Sequence, residues 1–269
     1  MKILYVAEIV GKAGVFAFKK ALPKLKNRYP HDFLIACADG ATGANGLGRT
    51  HAAYLHKLGA NAITLGECCF YKKDLTEDLD KVSYVLRPEN LSPEAPGIGV
   101  KTFKADNERV AVVVLLGQNG FNRLHANNPF AILPPLLERL KKQTPYIIVD
   151  FHAQATAEKK TLFFMADGLC SAVIGSHTRV QTADETIMDG GTAVITDAGR
   201  TGSLQSVGGC EIDSRIKEYL TGIPDWTKEA WDKIEVQGVY IDIDSNGKAK
   251  KIERVKLPVE RTPQGRGLF

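Results

Sequence analysis

Five times along this 269-residue chain a run of aliphatic and β-branched residues breaks off into a residue able to hold a metal or move a proton. "ILYVA" ends in Glu8, "LIACA" in Asp39 followed by Gly40, "AITLG" in Glu67 and Cys68, "IIVDF" in His152, and His177 follows "AVIG". Runs as apolar as these read as strands buried on both faces, which need helices packed against the sheet. Helical stretches alternate with them: "VFAFKKALPKLKNRY", "RTHAAYLHKLG", "KKDLTEDLDKV" and "PFAILPPLLERLKK". The alternation predicts an α/β chain with helices on both sides of its sheets. "SAVIGSH" and "GTAVITDAG" are further buried strands, "GVKTFKADNERVAVVVLLG" a hairpin turning near "ADNE", and "IEVQGVYIDIDSNGKAKKIERVKL" a second hairpin whose "SNG" marks the turn. In layered α/β folds ligands bind beyond the carboxyl ends of the strands. The five strand-end residues are therefore expected to meet at one edge.

Composition narrows the class. At 44% hydrophobic and 25% charged, the chain suits one globular domain, placed at 1–257, with 258–269 as a loose, flexible tail. A net charge of +4 without a Lys/Arg block interleaved with aromatics carries no strong nucleic-acid signal. "KALPKLKNR" reads as a solvated helix face. "MKILYVAEIVG" has one lysine and no A-x-A cleavage signal, so it reads as a first strand. "VAVVVLL" falls well short of the ~18 to 20 residues a membrane helix needs. A cytoplasmic protein without a membrane partner is expected. Five cysteines, an odd number without C-x-x-C spacing, are expected to be free thiols.

The stretches "KILYVAEIVGKAG", "NAITLGECCFYKKDL", "VLRPENLSPEAPGIG", "TPYIIVDFHAQATAEK" and "IGSHTRVQTADETIMDGGTAVITDAGRTG" resemble the YmdB-like family of bacterial calcineurin-like metallophosphoesterases. The resemblance runs over about residues 1–256. It implies a four-layer α/β/β/α sandwich, a metal site at one edge, and metal-dependent phosphoester hydrolysis, with 2′,3′-cyclic nucleotides as substrates of some members. A phosphate-containing small molecule or nucleotide is then the implied partner, together with self-association into a homo-oligomer.

Carried over position by position, the resemblance places one metal on Asp39, Glu67, His152 and His177, all able to ligate Mn, Fe or Zn. The second would use positions 8, 39, 40 and 179. Glu8 is a further candidate ligand, but Gly40 has no side chain, and Arg179 stands where the family has the second histidine of its H-T-H loop. Arginine is a permanent cation without an acceptor, so one divalent ion is expected and the second site empty. Arg179 then substitutes for that ion, bonding Glu8 and Asp39. Cys68 occupies the place of the family's proton-donating histidine, where a thiol of pKa near ~8.5 is a poor acid for an alkoxide.

Two readings follow. The first is a divergent pseudoenzyme with lost or strongly reduced dinuclear phosphodiesterase activity and a ligand-binding or regulatory role. The alternative is an active mononuclear phosphodiesterase or phosphatase in which Arg179 takes the second metal's part. Thr178, Gln181 and Asp184 are expected to buttress the His177 loop. Asp150 is read as orienting His152 or as a core hydrogen-bonding group, and Arg87 as facing the cleft or bracing its loop by a salt bridge. His31, His51, His56 and His125 read as surface or helix residues.

Overall fold

The computed structural model describes residues 1–121, 123–225 and 227–260. The chain begins β1 (Lys2–Val6), β2 (Glu8–Ile9), α1 (Gly11–Arg28), β3 (Phe33–Cys37), α2 (Arg49–Lys57) and β4 (Ala62–Thr64). It continues with α3 (Lys73–Thr76), a 3-10 turn (Leu79–Lys81), β5 (Val85–Leu86), β6 (Val100–Ala105), β7 (Glu108–Leu116), α4 (Pro129–Lys141) and β8 (Tyr146–His152). Then come α5 (Thr156–Ala166), β9 (Ala172–Ser176), β10 (Thr186–Ile187), β11 (Ala193–Ile195) and β12 (Arg200–Ser203). Last are α6 (Ile212–Thr221), β13 (Ile234–Ile243) and β14 (Ala249–Pro258). One sheet is ordered β2-β12-β13-β1-β3-β4-β5 with β14 on β13, and the other β10-β11-β9-β8-β7-β6.

Strand alternation builds the layers, because successive side chains leave opposite faces. Ile3 and Tyr5 of β1 and Phe33 and Ile35 of β3 meet Val110, Val112 and Val114 of β7 and Ile148 of β8 between the sheets. Their neighbours Leu4, Val6, Leu34 and Ala36 face outward onto Phe18, Leu22 and Leu25 of α1 and Leu55 of α2. On the other sheet Val113, Leu115, Val149 and Phe151 face Leu133, Leu137 and Leu140 of α4 and Leu162 and Phe163 of α5. Three apolar layers thus separate four structural ones, an α/β/β/α sandwich.

Differences from the sequence reading have local causes. "KKDLTEDLDKV" forms one α turn and one 3-10 turn instead of a helix, with only Leu75 and Leu79 buried as anchors. Helix α5 escapes an amphipathic reading because Glu158 and Lys159 lie on its buried side. β12 is polar in sequence, yet all four residues are buried. The main chain stays paired slightly past the expected boundary, since Pro258 sits opposite Glu235 and Val259 N donates to Ile234 O. The rest of the expected tail, 261–269, lies outside the described residues. Among the described residues no helix is long and apolar enough to cross a membrane, and the five cysteines are buried free thiols.

Candidate functional site

The parallel strands β1, β3 and β4 of one sheet and β7, β8 and β9 of the other deliver the site from both sides. Asp39 and Glu67 follow β3 and β4, His152 ends β8, and His177 follows β9. Donor atoms of Glu67, His152 and His177 lie within 4.8 Å of one another, as do those of Asp39, Glu67 and Cys68. His177 Nδ1 is 3.2 Å from Glu67 Oε1 and 3.2 Å from His152 Nε2, while Glu67 Oε2 contacts His152 Nε2 directly. Asp39 Oδ2 is 3.9 Å from the same Nε2. Gly66 lets the "TLGE" turn lie flat on the imidazole, for a Cβ there would meet His152 Cε1 at 2.3 Å.

The His177 loop is bent by two non-glycine residues at positive φ, His177 at 103° and Arg179 at 59°. Such conformations persist when the surroundings hold them. Here Thr178 N donates to Asp197 Oδ2 at 2.9 Å, and Gln181 Nε2 donates to Gly238 O at 2.9 Å. Asp184 Oδ1 accepts from Thr182 Oγ1 at 2.7 Å and from Thr196 N at 3.1 Å. Asp197 is itself held by Lys159 Nζ at 3.2 Å, both side chains fully buried. The Gln181 and Asp184 side chains thus tie the loop down as expected, whereas Thr178 contributes its main-chain N–H. These bonds do not reach the His177 ring, and Asp197 and Lys159 carry no signal in the sequence.

Asp150 reaches His152 by a relay. Tyr5 Oη at 2.7 Å and Thr64 Oγ1 at 2.5 Å donate to its Oδ2, and Ser176 Oγ donates to its Oδ1 at 2.7 Å. Ser176 Oγ also lies 3.0 Å from His152 Nδ1. With its one proton committed to Asp150, the hydroxyl can only accept from His152, so the network assigns a proton to Nδ1 and turns Nε2 to the cluster. Burial raises the Asp150 carboxyl, against the pull of those hydroxyl donors.

The donor set of this half fits a divalent cation. Two carboxylates and two imidazoles converge there, and the bond at His152 Nδ1 leaves Nε2 as the ligating atom. Burial, followed by the Glu67 carboxylate, pushes Asp39 up to about 8, against the pull of His152. Burial opposes charge on His152, but Glu67 beside it pushes its pKa up to about 9.

The half around Arg179 is different. Its Nε donates to Glu8 Oε1 at 2.9 Å and its Nη2 lies 2.7 Å from the same oxygen, while Nη1 donates to Gly208 O and Nη2 to Ala44 O, each at 2.9 Å. A Cβ on Gly40 would meet Arg179 Nη2 and Glu8 Oε1 at 2.9 Å each, so the guanidinium fills space that a side chain at position 40 would need. Burial disfavours the charge, yet Glu8 more than compensates and raises the arginine pKa. In this half a guanidinium held by Glu8 and two main-chain carbonyls occupies the space beside Gly40. The expected bond from Arg179 to Asp39 is not made. Asp39 instead accepts from the main-chain N–H groups of Gly66 at 2.7 Å and Cys68 at 3.0 Å, which are nearer in the same turn.

Burial, then Asp39 and Glu67, holds the Cys68 thiol well above the ordinary thiol range. Arg87 is buried and donates to the carbonyls of Pro88, Ser92, Ala95 and Pro96, so it braces its loop through main-chain oxygens and not through a salt bridge.

Two facing mixed sheets flanked by helices, with carboxylates and imidazoles at the strand ends, give the chain the four-layer fold of the calcineurin-like metallophosphoesterases. The sequence profile described as YmdB-like protein matches residues 4–255, and the chain belongs to that family. It is 40% identical over 260 residues to the 2′,3′-cyclic-nucleotide 2′-phosphodiesterase of Bacillus subtilis (strain 168), covering 96% of this chain and 97% of that protein. Among solved structures, a phosphatase from Mycoplasma pneumoniae is similar at 30% identity and a TM-score of 0.89, covering 96% of this chain and 93% of that one. A hypothetical protein from Thermus thermophilus is similar at 30% identity and a TM-score of 0.88, with 96% and 99% of the two chains covered.

Proposed function

We propose that this protein hydrolyses phosphate esters of the nucleotide type, using one divalent transition-metal ion held by Asp39, Glu67, His152 and His177. The observation that carries this is the convergence of Glu67, His152 and His177 donor atoms within 4.8 Å, with His152 oriented from behind by Ser176 and Asp150. The names of relatives, a phosphodiesterase and a phosphatase, support the same reading. A bound divalent ion would supply Lewis-acid polarisation of a phosphate oxygen and make a water more acidic.

The protein's own groups do the rest. Main-chain N–H groups and the Ser176 relay hold Asp39 and His152 in place before substrate arrives, which avoids reorganisation during reaction. Arg179 is pinned through Nε, Nη1 and Nη2 to Glu8, Gly208 O and Ala44 O, so its part is electrostatic. It neutralises Glu8, which would otherwise repel an anionic phosphate entering beside Asp39 and Glu67. The neutral Cys68 thiol is no general acid, and protonation of the leaving oxygen falls to solvent. Esters with good leaving groups should therefore be cleaved much faster than alkyl esters.

The test is hydrolysis of bis(p-nitrophenyl) phosphate by protein loaded with Mn²⁺. The expected result is about one bound ion per chain and turnover that falls to background in His152→Ala. The rival reading, a ligand-binding member without catalysis, draws on Cys68 in place of a proton-donating histidine. Absence of turnover with Mn²⁺, Zn²⁺ and Fe²⁺ at full loading would establish it.

A further inference from the structure

Beside the cluster opens a cavity of about 220 Å³ lined by Glu67, His177, Tyr71, Phe121, Arg123 and Leu124. Two of these are the proposed ligands, and the others form a wall of two aromatic rings, an aliphatic side chain and a guanidinium. Phe121 stands edge-on to His177 with ring centroids 5.0 Å apart, and Arg123 Cζ lies 5.1 Å over the ring of Tyr71. Tyr71 is 40% exposed, so part of its ring is open to a ligand entering the cavity. Flat π surfaces interleaved with arginine are how proteins hold single nucleic-acid bases, whatever the base sequence.

Size restricts what enters. Sites for whole drug-sized ligands run from about 300 Å³ upward, so this cavity suits one ring system and leaves the attached sugar phosphate outside it. Glu67 and His177 line the same cavity, so a ring seated against the aromatic wall has the cluster beside it.

We infer that this cavity is the base subsite of a nucleotide, with the base lying between Phe121 and the Tyr71–Arg123 pair and the phosphate reaching the Asp39, Glu67, His152 and His177 cluster. The inference rests on the hydrolase reading only for where the phosphate goes. Base recognition is a binding property and can be measured without turnover. Leu124 adds an aliphatic side chain to the wall, and Arg123, stacked on Tyr71, brings a positive charge to the cavity. Because stacking is indifferent to base-edge hydrogen bonds, the subsite should accept purines and pyrimidines alike.

Calorimetric titration of the full chain with adenosine 3′-monophosphate and with glycerol 3-phosphate, with and without Mn²⁺, tests this. The nucleotide should bind about tenfold or more tightly than glycerol phosphate, and Tyr71→Ala should lose about that factor for the nucleotide alone. Tyr71→Phe, which keeps the ring, should recover it. Tyr71 is on the surface, so its loss leaves the fold intact. Equal affinity for the two ligands, no binding of either, or an unchanged Tyr71→Ala would overturn the subsite. Base-dependent binding without turnover would uphold the subsite and remove the hydrolase reading, whereas turnover without base discrimination would do the reverse.

Discussion

At Arg179 three nitrogen atoms meet three different oxygens, from Glu8, Gly208 and Ala44, in a buried setting that a lysine could not reproduce with a single ammonium. Glu8 is 2% exposed, so Arg179→Ala would leave a buried carboxylate without its cation. The expected cost is about 3–5 kcal/mol in urea unfolding, with most of it recovered when Glu8→Gln is added. Gly40 belongs to the same unit. Gly40→Ala should cost about 1–3 kcal/mol by overpacking against the guanidinium, and that cost should shrink in the Arg179→Ala background. Additive effects would separate the two positions. In sequence Gly40 and Arg179 are only two positions that offer no ligand, and that they share one space beside Glu8 appears only in the fold.

Among the elements, β8 and β9 do most to shape the site. Their parallel register sets His152 opposite Ser176 and Asp150 opposite Ile174, and the hydroxyl of Ser176 then links the two polar side chains of β8. Ser176→Ala should release His152 Nδ1 and weaken metal binding about 10–100-fold in a chelator competition, with little change in the far-ultraviolet circular dichroism. An unchanged affinity would reduce the relay to core packing. The apolar runs that made β8 and β9 legible also hid this relay, because a serine before a histidine gives no hint of what faces it across a strand. Helix α5 failed to read as a helix for a related cause. Lys159 is buried because Asp197, 38 positions on, meets it.

For the whole molecule, sites on opposite sheets imply that a bound ion ties the two sheets together. Mn²⁺ at 100 times its dissociation constant should stabilise the folded state by about 2.7 kcal/mol, raising Tm by roughly 5 °C or more. His152→Ala should show no such rise in differential scanning fluorimetry, and a rise retained there would place the ion elsewhere. The sequence by itself determined that β1, β3, β7 and β8 are buried strands, since their runs are apolar on both faces, while the four-layer order was legible only through the family resemblance. It also determined which residue types stand at the strand ends, and so that Asp39, Glu67, His152 and His177 are chemically able to share a cation. Only the tertiary structure decided that Arg179 fills the space beside Gly40, that Asp39 is held by main-chain N–H groups, and that Tyr71, Phe121 and Arg123 wall one cavity. The physical reason is range: burial patterns are written in neighbouring residues, whereas charge pairing and cavity shape depend on groups that become neighbours only when the two sheets pack face to face.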